Sequence, residues 1–181
     1  MISRRQFVQA LACGASIAAA PSVFALSSTA PNLALPRKLS MFNRHTGERA
    51  QSVFAFQGEW VADGIAKLNQ VLRDHRQQEV GMMDPNLFEL ICQLQDALDC
   101  HDEIHIISGY RSPKTNAQLA LRSNGVAKKS YHMKGMAIDL AIPGVPLKEI
   151  RDAAIELQGG GVGYYPSSGF VHVDTGPVRR W

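Results

Sequence analysis

The sequence predicts an α+β fold, with helices packed on one face of a mostly antiparallel sheet. Two observations predict it. Short segments near residues 39–56, 104–107, 136–142 and 170–174 alternate or run apolar at strand length, while longer segments near 63–75, 84–98 and 147–157 carry apolar residues at helical spacing. No internal repeat interrupts this pattern, and about 145 residues from Leu39 onward suffice for one domain with a core of ordinary size.

Ahead of that domain, Ser3-Arg4-Arg5-Gln6-Phe7-Val8-Gln9 reads as a twin-arginine export signature. Residues 10–20 are uncharged, mostly small and apolar, and too short to span a bilayer. Val23-Phe24-Ala25 supplies a small-residue cleavage site, so residues 1–25 are expected to be removed, leaving a mature chain that starts near Leu26 with no membrane anchor. A competing reading acylates Cys13, which follows the small residue Ala12, but the apolar stretch before it is very short. The export reading places the mature protein in the periplasm. Residues 26–38 lack the apolar content for a core and read as a disordered leader, leaving 39–181 as the single domain.

The first expected elements are strands Leu39–Asn43 and Ala50–Phe56, joined as a hairpin around His45-Thr46-Gly47-Glu48, with His45 a solvated turn residue. Ile65, Leu68, Val71 and Leu72 then mark a helix over about Asp63 to His75. In the next helix Asp84 is the cap and Pro85 the first residue, and Leu87, Leu90, Ile91, Leu94 and Leu98 form its apolar stripe. A strand at 104–107 leads into Ser108–Ser112, and Ser112 caps a short helix over about Pro113 to Leu121. After the strand at 136–142 come a helix over Leu147–Leu157, a turn at Gly159-Gly160-Gly161, and strands Val162–Tyr165 and 170–174. The triple glycine lacks the Gly-Lys-Ser/Thr of a phosphate loop. Cys92 and Cys100 are separated by about 12 Å of helix at 1.5 Å per residue, so they are expected to stay free thiols.

Chemistry concentrates at Ser130-Tyr131-His132-Met133-Lys134-Gly135-Met136-Ala137-Ile138-Asp139 and at Gly169-Phe170-Val171-His172-Val173-Asp174. Alternation puts Ile138, Leu140 and Ile142 on one face of the first strand and Ala137, Asp139 and Ala141 on the other. In the second strand Val171 and Val173 oppose Phe170, His172 and Asp174. If both apolar faces meet the core, Asp139 and His172 emerge together on the outer face. His132 arrives from the preceding loop, which Gly135 lets turn tightly. Two imidazoles and a carboxylate suit a hydrolytic zinc site, in which three protein ligands leave the fourth position to water.

The pattern Ser130-x-His132-x-x-Gly135-x-Ala137-x-Asp139, with Ser108-Gly109-Tyr110-Arg111-Ser112 upstream and Val171-His172-Val173 downstream, resembles the zinc D-Ala-D-Ala metallopeptidase group. That group includes VanX-type dipeptidases and murein endopeptidases, and the fuller strings are most similar to the endopeptidases. The resemblance runs from about Leu39 to Trp181. It implies zinc as cofactor, His132, Asp139 and His172 as its ligands, and Arg111 near the scissile group, where a guanidinium suits a substrate carboxylate or an oxyanion. It also implies a peptidoglycan peptide as substrate and cleavage of cross-links, including those between two diaminopimelate residues. A carboxypeptidase trimming terminal D-alanine and a non-catalytic zinc module that binds murein are the rival readings.

The chain departs from the group at the general base. Relatives carry Glu or Asp three residues before the last ligand, or His two before it, whereas these positions are Gly169 and Phe170. Asp174 is the nearest candidate, either as base or as the partner that orients a ligand histidine. His105 is a weaker third candidate. Tyr110, Tyr164 and Tyr165 are candidate groove walls.

Composition excludes some partners. Lys and Arg total 19 against 16 Asp and Glu, and removal of Arg4 and Arg5 with the signal changes 19 − 16 to 17 − 16. A nearly neutral chain whose only adjacent lysines are the solvated pair Lys128-Lys129 does not carry the basic patch of a nucleic-acid binder. The protein is expected to be a monomer.

Overall fold

Buried Leu39 and Met41 alternate with the more exposed Lys38, Ser40 and Phe42, and Arg37–Asn43 accordingly forms strand β1, opening two residues before the expected boundary. The computed structural model describes residues 35–123 and 126–181; the export signature, its cleavage site, Cys13 and most of the leader lie outside the described residues. Strand β2, Arg49–Phe56, pairs antiparallel with β1 as a hairpin. A further strand not anticipated from the sequence, β3 (Glu59–Trp60), folds back on β2. Its connection is the two-residue turn Gln57-Gly58, both at positive φ of 52° and 83°, the backbone geometry that fits the twist of a hairpin.

Helix α1 spans Ala62–Val71 and stops short of the predicted His75. The reason lies in Asp74. Its side chain accepts hydrogen bonds from the amides of Arg76 (2.9 Å) and Gln77 (3.3 Å), and its backbone bridges Glu79, so local bonding replaces another helical turn. Helix α2 (Pro85–Ala97) begins as expected, the Asp84 carboxylate accepting from the Asn86 amide at 3.0 Å. Strand β4 (Ile104–Ser108), helix α3 (Pro113–Arg122), strand β5 (Ala137–Ala141), helix α4 (Leu147–Leu157), strand β6 (Gly161–Tyr165) and strand β7 (Phe170–Asp174) follow. A second unanticipated strand, β8 (Arg179–Arg180), runs parallel to β6.

The eight strands form one mixed sheet in the order β3-β2-β1-β4-β5-β7-β6-β8. The β1–β4 and β6–β8 pairings are parallel and the other five antiparallel. Period-two alternation buries Met41, Ile104, Ile106, Ile138, Leu140, Val171 and Val173 in one core with Leu68, Leu87, Phe88, Ile91 and Ile150 of α1, α2 and α4. Each fully buried Leu, Ile or Phe contributes about 1.5–3 kcal/mol. Helix α3 differs from the other three: it supplies no side chain to this core, and its two buried residues, Thr115 and Asn116, are polar. Cys92 and Cys100 are both free, and burial pushes the Cys92 thiol up to about 12.

Candidate metal centre

The loop after β4 is fixed before it contributes anything to the site. The Asp74 carboxylate accepts from the Ser112 hydroxyl at 2.7 Å and from its amide at 3.0 Å, and the Ser112 oxygen in turn accepts from the Thr115 amide to cap α3. The Tyr110 amide donates to the Leu72 carbonyl at 2.8 Å, which anchors the same loop to the end of α1. Two ends of this pinned segment reach the site: the Gly109 carbonyl and the Arg111 side chain.

His132 stands on a 3₁₀ turn, Tyr131–Lys134, capped by Ser130 and closed by Gly135 at φ 68°. A Cβ at Gly135 would overlap the Met82 carbonyl, so both conformation and space require glycine there. The turn aims Nδ1 of His132 at the Gly109 carbonyl, 2.7 Å away. An N–H at Nδ1 satisfies that carbonyl and leaves the Nε2 lone pair facing Asp139, whose Oδ1 lies 3.3 Å away.

Strands β5 and β7 supply the other two residues. Asp139 is directly opposite His172 in their antiparallel register, and the alternation that buries Ile138 and Leu140 turns both polar side chains to the same side. His172 Nδ1 is 2.8 Å from Asp139 Oδ1, and its Nε2 is 2.9 Å from Asp174 Oδ2. Burial alone would raise the Asp139 carboxyl, yet the two imidazoles hold it well below the usual carboxylate range. Burial likewise opposes a charged His172, but hydrogen bonds to Asp139 and Asp174 raise it above its ordinary value.

One donor atom from each of His132, Asp139 and His172 lies within 4.8 Å of the others, and all three residues are buried. Donors held about 2.0–2.1 Å from a tetrahedral zinc ion are themselves about 3.3 Å apart. The 3.3 Å from His132 Nε2 to Asp139 Oδ1 matches that spacing, and the 2.8 Å from His172 Nδ1 to the same oxygen is a hydrogen bond about 0.5 Å shorter. Each imidazole also has its remote nitrogen anchored, His132 by a carbonyl and His172 by a carboxylate, the arrangement that fixes the tautomer of a metal-ligating histidine. The donor set therefore fits a zinc ion.

The three residues open onto a cleft of about 610 Å³. Arg111 lines it, with Nη2 at 3.9 Å from Asp139 Oδ2 and further contacts to Ser108 Oγ and Asn116 Oδ1 at 3.3 and 3.4 Å. Asp174 does not line the cleft. It is 0% exposed, and Gly161 N, Gly176 N, His172 Nε2 and both terminal nitrogens of Arg179 surround its carboxylate. His105 packs its ring against Phe42 and lies 4.0 Å from Glu103, outside the cleft. Of the three tyrosines, Tyr165 lines the cleft. Tyr110 instead bonds Glu79, and Tyr164 lies under the Arg151 guanidinium. Tyr131, Arg179 and Trp181 are among the cleft residues to which the sequence assigned no role. Their role depends on contacts between segments far apart in the chain, which local pattern does not encode.

The family model described as peptidoglycan L,D-endopeptidase MepK matches residues 32–181. Among curated relatives, the peptidoglycan L,D-endopeptidase MepK of Escherichia coli (strain K12) is 44% identical over 171 residues, covering 94% of this chain and 91% of the relative. The Haemophilus influenzae protein named "Probable peptidoglycan L,D-endopeptidase MepK" is 47% identical over 161 residues, covering 88% of this chain and 84% of that one.

Proposed function

Since the chain belongs to the peptidoglycan L,D-endopeptidase MepK family, we propose that it is a zinc-dependent murein endopeptidase that hydrolyses an L,D peptide bond in the cross-links of peptidoglycan. The observation that carries the zinc assignment is the convergence of His132, Asp139 and His172, with both remote imidazole nitrogens already bonded. These three are the metal ligands, on the sheet face opposite the one backed by α1, α2 and α4.

A zinc ion bound there supplies Lewis acidity, polarising a carbonyl and lowering the pKa of water. The protein does the rest. Arg111, steadied by Ser108 and Asn116, presents donors to the oxyanion of the tetrahedral intermediate or to a substrate carboxylate beside the cut bond. Asp174 keeps the Nε2–H of His172 in place and leaves Nδ1 free to ligate. Its burial and its full set of donors support this orienting role over that of general base, because it has no free path to a proton in the cleft. Tyr165 forms a wall of the groove.

The twin-arginine signature and the peptidoglycan substrate together support action in the periplasm; among the described residues no helix is long and apolar enough to cross a membrane. Precursor retained in the cytoplasm after replacing Arg4 and Arg5 with lysine is the expected result of fractionation. Normal periplasmic mature protein in that variant would instead assign a general secretory route.

Digestion of purified cross-linked muropeptides, with and without a chelator, tests the function. Monomeric products whose masses fit cleavage within the cross-link, lost on chelation and restored by zinc, are expected. Release of terminal D-alanine alone would make the protein a carboxypeptidase, and unaltered muropeptides bound by the zinc-loaded protein would make it a binding module.

A further inference from the structure

We propose that β8 and the residue that follows it complete the metal centre: Arg179 is a positioning residue for His172, acting through Asp174, and the Trp181 ring is the wall that holds the imidazole. This rests on the zinc site proposed above and goes beyond it, because Arg179 and Trp181 are drawn from a segment with no ligand of its own.

The Arg179 guanidinium grips both oxygens of Asp174, Nη1 to Oδ1 at 3.0 Å and Nη2 to Oδ2 at 2.6 Å. This fork matters because of what else holds each oxygen. Oδ1 also accepts from the amides of Gly161 and Gly176, but among the described residues Oδ2 has only Arg179 and His172. Without Arg179 the backbone would fix one oxygen and leave the other free to swing away from Nε2. A surface ion pair would make a weak case, but the Asp174 end is fully buried and the pairing is bidentate.

Arg179 is itself clamped, its guanidinium 4.9 Å from the Tyr131 ring and 5.0 Å from the Trp181 ring. The Trp181 ring then lies 5.2 Å from the His172 ring, with Nε1 donating to Tyr165 Oη at 2.6 Å. Its backbone is tied to β6 at both ends, to the Val162 carbonyl and the Tyr164 amide. The sequence makes room for all of this with glycine. Gly163 is paired with His172, and a Cβ there would come within 2.7 Å of the Trp181 ring. A Cβ at Gly161 would overlap the Arg179 guanidinium, and one at Gly176 would press on the Tyr131 ring.

The test measures zinc affinity of the full protein by competition with a chromogenic chelator, using the unmodified protein, Arg179→Ala, Arg179→Lys, Asp174→Asn and the Arg179→Ala/Asp174→Asn pair. Arg179→Ala should bind zinc about 10 to 100-fold more weakly, as for loss of an outer partner of a ligand histidine. Arg179→Lys, which keeps the charge and loses the fork, should fall between. The double variant should be no more than about two-fold weaker than Asp174→Asn alone, because an effect that passes through Asp174 has nothing left to act on. Trp181→Ala should weaken zinc binding while Trp181→Phe retains it. Unchanged affinity in Arg179→Ala, or effects that multiply in the double variant, would overturn the relay; unchanged affinity in Trp181→Ala would overturn the wall. Melting curves of the zinc-free proteins separate misfolding from loss of the site, and if Arg179→Ala does not fold, Arg179→Lys carries the same comparison. Absence of zinc binding by the unmodified protein would strike instead at the metal assignment, with His132→Ala as its control.

Discussion

Two imidazoles that meet at one carboxylate are distinguished by what holds their other nitrogens. His132 turns Nδ1 to a carbonyl and His172 turns Nε2 to Asp174, so the two rings offer different nitrogens to the shared centre. Changing His132, Asp139 or His172 to Ala should therefore abolish stoichiometric zinc, and metal analysis that found one zinc per chain in all three variants would refute the ligand set. Asp174→Asn separates the orienting role from proton transfer. As an orienting partner its loss should weaken zinc about 10 to 100-fold; as a base its loss should leave zinc intact and cost about 100-fold or more in turnover. Arg111→Ala should keep zinc and lower kcat by about 10² to 10³-fold, the scale of one oxyanion donor, with the largest loss on substrates carrying a carboxylate beside the cut. At this scale much was legible in the sequence. His132, Asp139 and His172 follow from alternation and from one tight glycine turn, which are local properties. Arg179 and Trp181 were not legible, since two arginines and a tryptophan in a row show neither periodicity nor spacing, and their meaning comes only from where β8 docks.

The elements show the same division between local and distant causes. Caps at Asp84 and Ser112 were readable because each cap's side chain bonds an amide two or three residues on. The β2–β3 turn was missed because Gln57 adopts positive φ, a conformation that a glutamine does not advertise. The end of α1 was missed because Asp74 bonds the Arg76 and Gln77 amides instead of continuing the helix, while its other oxygen is committed to Ser112, 38 residues away. That commitment has a measurable consequence. Burial alone would raise the Asp74 carboxyl, but the Thr115 and Ser112 hydroxyls beside it and the amides of Ser112 and Arg76 outweigh that and lower the pKa to about 2. A folded pKa below the unfolded value of about 3.9 stabilises the protein fully above that value, and the contribution is lost as pH falls toward 2. Its size is on the order of 2 kcal/mol. Asp74→Asn should therefore lower stability at pH 7 by roughly that amount, and urea denaturation should show the gap to the unmodified protein closing between about pH 4 and pH 2. A gap that persisted unchanged at the lower pH would mean that the charge of Asp74 is not what anchors the Arg111 loop.

In strands β5 and β7, core side chains alternate with side chains that line the cleft. Ile138 and Leu140 of β5 and Val171 and Val173 of β7 belong to the core that α1, α2 and α4 build, while Asp139 and His172 between them face the cleft. The α+β class was readable from these alternations. The strand order was not, because the parallel β1–β4 pairing joins residues 41–43 to 104–106 and the edge strands are only two residues long. This division predicts how the protein responds to loss of zinc. A small zinc finger unfolds without metal because the ion replaces a core, but here the apolar core contains none of His132, Asp139 and His172, the proposed ligands. Chelation should leave the far-ultraviolet circular dichroism unchanged and the melt cooperative. The midpoint should drop, and the unfolding free energy should fall only by the contribution of bound zinc, RT ln(1 + [L]/Kd). Activity should vanish with the metal and return with it. Unfolding at room temperature on chelation would show that the core is insufficient without the ion. In that case the buried Asp139, flanked by two imidazoles, would be the element of the sheet that needs zinc to stay folded.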